Sequence, residues 1–174
     1  MINLKEHLDK QTYDKNYQDI DCLGLKGYSE SHKSWENMKN LVDWKDKKVA
    51  DLGCFHGYFS FKIAKLGAKV TGLEKSKEVL VTTQLINEAE GGIIELKQWE
   101  GGDIVPEEFD LVLCLNVLHH FKNQELGLQN IKASQGLFEV NKEQKELISK
   151  YFNIIKEVSS HRINRTILLA DRKK

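Results

Sequence analysis

Short apolar runs alternate with amphipathic stretches over most of the chain, and several of the runs end at a polar or glycine residue. Phe59, Ile63 and Leu66 recur at the spacing of a helix, and Gly67 is placed to end it. Ser76 can cap a second helix. The pattern predicts strands over 48–53, 68–74, 93–99 and 109–115, and helices over 57–66 and 76–88.

The C-terminal third continues the alternation and then changes it. Asn141 and Gln144 have the spacing of a capping box that opens a helix. The last two strands are joined by residues 160–164, too few for a crossover helix, so they are expected to be antiparallel. The remaining elements are a helix near 123–133 and strands over 137–140, 153–159 and 165–170. The order predicts an α/β fold: a doubly wound, mostly parallel seven-stranded sheet with an antiparallel C-terminal hairpin.

The chain divides into a short polar segment and one domain. Residues 46–174 hold the whole α/β pattern. Residues 1–45 are more polar and are expected to form one or two helices that cap the functional edge of the sheet. Tyr28, Lys33 and Trp35 in this segment are either one packed helix face or part of a cover over the site.

Charge and cysteine content narrow the classes of protein. Lys and Arg number 26, as do Asp and Glu, so the net charge is zero, which disfavours a nucleic-acid coat or a polybasic membrane binder. Three cysteines without a CxxC spacing exclude a disulfide scaffold and a cysteine-rich zinc site, and free thiols are typical of reducing compartments. No apolar run is long enough to span a bilayer and no signal-peptide core is seen, so we expect a cytoplasmic protein without a membrane partner.

Polar and glycine residues collect where the predicted strands end. In an open α/β sheet the ligand binds beyond the carboxyl ends of the strands, so these residues are expected to share one site. A carboxylate at the second strand end can accept hydrogen bonds from both hydroxyls of a ribose. In chain order the candidates are Asp51, Gly53, Cys54, Phe55, Gly57, Glu74, Trp99, Glu100, Leu115, Asn116, His119 and His120.

The loop after the first strand discriminates between two nucleotide-like ligands. A pyrophosphate-bearing dinucleotide needs G-x-G-x-x-G, whose middle glycine lets a phosphate approach the helix. Here Phe55 takes that middle position, and Asp51 adds a negative charge where a dianionic ligand would come. A zwitterionic ligand with a cationic sulfur tolerates both residues. S-adenosylmethionine (SAM) is therefore favoured over NAD.

Three motifs, in this order and spacing, resemble those of the class I SAM-dependent methyltransferases. They are V-A-D-L-G-C-F-H-G from Val49, V-T-G-L-E from Val70 and F-D-L-V-L-C-L-N-V-L-H-H from Phe109. The resemblance covers roughly residues 45–171. Together with Trp35, the motifs are also similar to the tRNA-modifying branch that acts on wobble uridine.

The resemblance implies a role for each motif. The first motif would line the methionine part of SAM through Asp51, Gly53 and Gly57, and Glu74 would hold the ribose diol. Glu100 or its neighbours would meet the adenine, and residues 115–119 would face the methyl group that is transferred. Phe55 departs from the usual D-x-G-x-G-x-G of the family.

Methyl transfer from a sulfonium can be accelerated mostly by alignment of the two reactants. An acceptor that must lose a proton also needs a base, and His119 and His120 are the candidates because imidazole titrates near neutrality. The alternative is that these histidines simply form a polar end to a buried strand. Since no carboxylate pattern accompanies them or His56, no metal is expected.

Other hypotheses compete with a methyltransferase. The chain has no inserted cap domain, so a weak or inactive SAM-binding module acting as a partner subunit is the main alternative, and an NAD-dependent oxidoreductase ranks third. The site is expected to be enclosed by residues 1–45, by a large substrate, or by a second chain in a homodimer or a complex with a partner protein. The methyl acceptor is left open between a small molecule, RNA and protein.

Overall fold

Seven strands form one sheet in the computed structural model of the chain, which describes residues 3–174; Met1 and Ile2, the start of the predicted N-terminal segment, lie outside the described residues. Strands β1 to β5 pair in parallel, while β7 is antiparallel to both β5 and β6. The strands are β1 (Lys48–Leu52), β2 (Lys69–Glu74), β3 (Glu95–Gln98), β4 (Phe109–Leu115), β5 (Ala133–Val140), β6 (Phe152–Ser159) and β7 (Thr166–Arg172). Their order is β3-β2-β1-β4-β5-β7-β6, which confirms the predicted doubly wound sheet and C-terminal hairpin.

Among residues 3–174, six α-helices accompany the strands: α1 (Leu4–Asp9), α2 (Ser31–Met38), α3 (Tyr58–Ala64), α4 (Lys77–Ala89), α5 (Gln124–Gln129) and α6 (Lys142–Tyr151). The predicted caps explain two of their start points. The Ser76 side chain accepts a hydrogen bond from Val79 N at the start of α4. Asn141 and Gln144 form the reciprocal capping box of α6.

The core lies on both faces of the sheet, because successive residues of a strand point to opposite sides. One apolar cluster includes Val49 and Leu111 and is covered by α1 to α4, while the other includes Ala50 and Val112 and is covered by α5 and α6. Trp35 belongs to the first cluster, where its ring lies 6.3 Å from that of Trp44.

The structure moves two predicted boundaries near β5. The helix before it ends at Gln129 and the strand begins at Ala133, whereas the sequence predicted a helix to residue 133 and a strand from 137. Ser134 and Gln135 interrupt the apolar pattern, yet Ala133 pairs with Phe109 and Gln135 pairs with Asp171. Hydrogen bonding on both edges therefore extends the strand beyond its apolar residues. Within residues 3–174, no helix has the length and apolarity needed to cross a membrane.

Candidate functional site

A cavity of about 430 Å³ opens at the carboxyl ends of the parallel strands, where the sheet order reverses between β1 and β4. Nine of the twelve candidate residues line it: Asp51, Gly53, Phe55, Glu74, Trp99, Glu100, Leu115, Asn116 and His120. Cys54, Gly57 and His119 lie outside its lining. The strand ends therefore meet at one site, as the topology rule requires.

The glycines of the loop after β1 serve the protein backbone as well as any ligand. Gly53 has φ +67°, and a Cβ there would lie 2.5 Å from Cγ2 of Val117. Gly57 has φ +77° and begins α3, where a Cβ would meet the ring of Phe61 at 2.9 Å. Both positions need glycine because side chains are disfavoured in the left-handed region and the space is already filled.

Phe55 adopts the left-handed conformation, with φ +52°, at the place of the family's middle glycine. Its ring centroid lies 4.2 Å from that of His56. The ring also packs edge-on against the rings of Tyr13 and Tyr17, with centroid distances of 5.9 and 5.6 Å. The ring is thus part of an aromatic contact between this loop and the N-terminal segment.

Asp51 is a buried carboxyl group at the end of β1. Its Oδ2 accepts a 2.6 Å hydrogen bond from the Ser60 hydroxyl on α3. Burial raises the pKa of Asp51 to about 7, and the neighbouring charge of Glu74 adds to the increase while the Ser60 hydrogen bond opposes it. The charge of this wall of the cavity therefore changes near neutral pH.

Glu74 joins two loops at the end of β2. One carboxylate oxygen accepts a hydrogen bond from Phe55 N at 3.2 Å and the other from Ser76 N at 3.0 Å. Each oxygen of an ionised carboxylate has two lone pairs, so both can still accept a hydrogen bond from a ligand. The side chain is buried but lines the cavity.

Trp99 and Glu100 follow β3. Trp99 is buried and packs edge-on against Phe121 at 5.5 Å, and its indole Nε1 has no hydrogen-bond partner in the described part of the chain. Glu100 is exposed at the cavity. Both residues line the same cavity as Glu74, and their contact with adenine stays a prediction.

Asn116 follows β4 and also has a left-handed backbone, with φ +56°. Its Nδ2 donates a 2.9 Å hydrogen bond to the Tyr17 hydroxyl, while its buried Oδ1 lacks a partner among residues 3–174. The amide therefore presents an unused acceptor beside the cavity.

His119 and His120 lie in a 3₁₀ turn after β4, with ring centroids 4.0 Å apart. His120 reaches the cavity and His119 does not. Partial burial lowers the pKa of His119, and the positive charges of His120 and Arg165 add to this effect. Of the two predicted bases, His120 has the better placement.

The N-terminal segment lines the cavity through residues that the sequence analysis missed: Tyr13, Asp14, Tyr17, Gln18 and Ser31. Tyr13 OH lies 2.9 Å from Nε2 of the buried His56. The predicted cover residues lie elsewhere: Trp35 is core, Tyr28 is 65% exposed, and Lys33 pairs with Glu30. A pair of tyrosines at i and i+4 in a polar segment was the available signal.

Arg162 and Glu139 complete the far side of the cavity. Neither residue is among the twelve candidates predicted from the sequence. The signal for Glu139 was a charged residue inside a buried apolar strand, which is rare without a partner or a function. Across the described residues, no group of three or more His, Cys, Asp or Glu side chains could hold a metal ion.

The groups on the β1–β3 side of the cavity fit SAM. A cationic ligand is favoured by the carboxylates of Asp51, Glu74 and Glu100, which face one lysine, Lys75, among the described residues on this side. The unpartnered Asn116 Oδ1 can accept a hydrogen bond from an ammonium group.

Comparisons with known proteins point in the same direction. Residues 50–134 match a family model described as a methyltransferase domain. The tRNA U34 carboxymethyltransferase of Campylobacter hominis is 33% identical over 100 residues, 56% of this chain and 35% of that protein. The ubiquinone biosynthesis O-methyltransferase of Pseudomonas syringae pv. tomato is 37% identical over 89 residues, 45% of this chain and 38% of that protein. The matched stretches span little more than a third of the length of these two relatives.

Solved structures share the fold. The PH0226 protein from Pyrococcus horikoshii OT3 superposes with a TM-score of 0.75 at 16% identity, covering 91% of this chain and 95% of that one. Magnesium protoporphyrin IX methyltransferase from Synechocystis PCC 6803 with bound SAM superposes with a TM-score of 0.67 at 20% identity, covering 83% of this chain and 77% of that one.

Proposed function

We propose that the chain is a class I SAM-dependent methyltransferase, which its match to a methyltransferase domain model over residues 50–134 supports. Its cavity would bind SAM along the ends of β1 to β3, and the chain would methylate an acceptor held beyond β4. The observation that carries the proposal is Glu74, a buried carboxylate at the end of β2 that is tied to Phe55 N and Ser76 N and still faces the cavity. Glu74 would bind the ribose hydroxyls, and Asn116 Oδ1 would bind the ammonium group.

When bound, SAM supplies a methyl group that is activated by its positive sulfur. The protein contributes alignment: Asn116 is held by Tyr17, and Glu74 holds the loop after β1 in place. His120 is exposed at the cavity and can take a proton from an acceptor hydroxyl. We therefore favour an oxygen acceptor, the class that the name of the Pseudomonas relative states, with the U34 base of tRNA as the second candidate from the Campylobacter relative.

Binding of S-adenosylhomocysteine, with NAD as the control ligand, tests the cofactor. At about 100 times its Kd a ligand stabilises the folded state by roughly 2.7 kcal/mol, which raises the Tm by several degrees in a domain of this size. We expect this increase with S-adenosylhomocysteine and not with NAD. An increase with NAD alone would contradict the proposal.

Glu74→Gln tests the ribose assignment. Glutamine has the same shape as glutamate, but its amide nitrogen cannot accept a hydrogen bond from Phe55 N or Ser76 N. The variant also lacks a charged acceptor for the ligand. Hydrogen bonds to charged groups contribute roughly 1.5–3 kcal/mol, so we expect at least a tenfold increase in the Kd for S-adenosylhomocysteine. Glu88→Ala, an exposed change on α4, is the matched control. An unchanged Kd for a folded Glu74→Gln variant would remove Glu74 from the site.

Turnover is tested with radiolabelled SAM. Catechol, which is neutral, and unfractionated tRNA serve as probes of the two candidate acceptor classes, and His120→Ala is measured at saturating SAM. We expect label transfer to one probe and a decrease of about 10²-fold or more in the variant if His120 is the base. A chain that binds S-adenosylhomocysteine but labels neither probe would favour the alternative, a SAM-binding partner subunit.

A further inference from the structure

The cavity extends beyond the part that SAM would occupy. Its lining runs from Trp99 after β3 to Glu139 on β5 and Arg162 between β6 and β7. The strands β3 and β5 are separated by three others in the sheet, and neighbouring strands lie about 4.8 Å apart. With SAM along β1 to β3, as proposed above, residues on the β5 side would face the methyl acceptor and not the adenosine.

Glu139 is a carboxylate with one oxygen used and one free. Oε1 accepts hydrogen bonds from the hydroxyls of Ser34 at 3.0 Å and Ser160 at 2.5 Å. Oε2 makes no hydrogen bond within the described chain, and the side chain is only 2% exposed. Two hydroxyls thus fix the direction of the carboxylate and leave its second oxygen at the cavity.

Hydrogen bonds also fix the Nη2 end of the Arg162 guanidinium. Its Nη2 donates to the carbonyl oxygen of Ser29 at 2.9 Å and to the Tyr17 hydroxyl at 3.5 Å, and the guanidinium lies 5.9 Å from the centre of the Tyr17 ring. Its Nε is buried and finds no partner among the residues described.

The two side chains face each other without closing. Arg162 Nε lies 3.8 Å from Glu139 Oε2, within the range of an ion pair but beyond a hydrogen bond. A buried ion pair is costly unless its geometry is good and its hydrogen bonds are satisfied. Here the hydrogen bonds of each side chain to its other neighbours hold Oε2 and Nε 3.8 Å apart. The pair is therefore fixed in position, but neither atom has its hydrogen bond.

We propose that Glu139 Oε2 and Arg162 Nε form the recognition site for the acceptor, and that they select a neutral group with a hydrogen-bond donor beside a hydrogen-bond acceptor. The donor would bind Oε2 and the acceptor would bind Nε–H. A hydroxyl or N–H next to a carbonyl has this pattern. An anionic group is disfavoured by Glu139 and a cationic group by Arg162. The proposal deepens the proposed function and rests on it.

Three ring compounds of similar shape test this selection: 2-hydroxybenzamide is neutral, 2-hydroxybenzoate is an anion and 2-hydroxybenzylamine is a cation. Their affinities are measured by NMR titration of the chain saturated with S-adenosylhomocysteine. We expect the wild-type chain to bind the neutral probe at least tenfold more tightly than either charged probe.

Charge changes should reorder the probes in a defined way. Glu139→Gln keeps an acceptor for the hydroxyls of Ser34 and Ser160 but leaves the charge of Arg162 without a counter-charge. This variant should therefore bind 2-hydroxybenzoate most tightly of the three probes. Arg162→Gln should come to prefer the cation. Arg162→Lys keeps the charge but loses Nε–H, so the anion should stay disfavoured while the neutral probe binds at least fivefold more weakly. Glu157→Gln, on the exposed side of β6, is the control and should keep the wild-type ranking.

The outcomes separate this proposal from the cofactor assignment. If the variants are folded, bind S-adenosylhomocysteine and rank the probes as the wild type does, Glu139 and Arg162 do not select the acceptor. A chain that binds all three probes equally would overturn the proposal in the same way. Failure to bind S-adenosylhomocysteine at all would instead refute the proposed function.

Discussion

Two buried ionisable residues beside the cavity respond to pH in opposite senses. Burial lowers the pKa of His56 to about 4, so the folded state favours the neutral imidazole. The free energy of unfolding therefore decreases as the pH falls from 6.5 towards 4. Burial raises the pKa of Asp51 to about 7, so folding favours its protonated form and loses stability as the pH rises from about 4 to 7. At about 1.36 kcal/mol per pKa unit, the free energy of unfolding changes by about 3 kcal/mol through His56 and about 4 kcal/mol through Asp51. They offset each other over most of this range.

Asp51→Asn should uncover the effect of His56. Asparagine keeps an oxygen for the Ser60 hydroxyl and does not titrate, so the variant should lose about 3 kcal/mol relative to wild type on acidification from pH 7 to 4.5. Urea unfolding at four pH values between 4.5 and 7.5 measures this difference. Asp103→Asn, an exposed change, is the control. Parallel curves for Asp51→Asn and wild type would show that Asp51 titrates normally.

The same carboxyl group should make cofactor binding depend on pH. A cationic ligand beside Asp51 favours its ionised form, so in the proposed site the affinity for SAM should increase as the pH rises from 6 to about 7 and then level off. We expect a change approaching tenfold per pH unit below 7, measured by calorimetry. Asp51→Asn should flatten this profile, and a wild-type affinity independent of pH would place the cationic part of SAM away from Asp51.

At the scale of elements, the stretch between α1 and α2 is held over the cavity by a few side-chain contacts. Tyr17 OH accepts from Asn116 Nδ2, Tyr13 OH meets His56, and Gln18 Oε1 accepts from Tyr58 N at 3.3 Å. These contacts connect the segment to the loops after β1 and β4. The position of the segment and the shape of the cavity are therefore coupled.

Tyr17→Phe should loosen this segment. The change leaves Asn116 Nδ2 without its partner, which costs about 1–3 kcal/mol for a buried donor. We expect faster proteolysis within residues 10–30 and weaker binding of S-adenosylhomocysteine. Tyr28→Phe, at an exposed residue, should change the free energy of unfolding by less than about 0.5 kcal/mol. Equal proteolysis of the two variants would show that the Tyr17 hydroxyl does not hold the segment.

At the scale of the molecule, both ends of the cavity are built from one chain. Its lining comes from the N-terminal segment, five strand ends and the turn before β7. We therefore expect the isolated chain to bind one S-adenosylhomocysteine per chain, with an affinity independent of protein concentration. Calorimetry combined with light scattering measures both. Binding that appears only with a dimer or an added protein would support the partner-completed site that the sequence left open.

Local pattern was enough for much of this architecture. Apolar runs, glycines and caps predicted all seven strands of the sheet. Asp51, Glu74 and Asn116 could be assigned to one edge of the sheet because the carboxyl ends of parallel strands meet there. The boundary of β5 could not be predicted in this way, because Ser134 and Gln135 are strand residues through their pairing with neighbours rather than their own preference.

The sequence by itself determined the class of the fold and the edge of the sheet at which the cavity opens, and it predicted a ligand with a cationic sulfur. The tertiary structure decided which side chains meet there. Tyr17 and Asn116 are 99 residues apart, and Ser34 and Glu139 are 105 apart. Periodicity records only how each segment faces the core, whereas a binding site depends on distances between segments. Those distances are set by how the helices and the hairpin pack around the sheet.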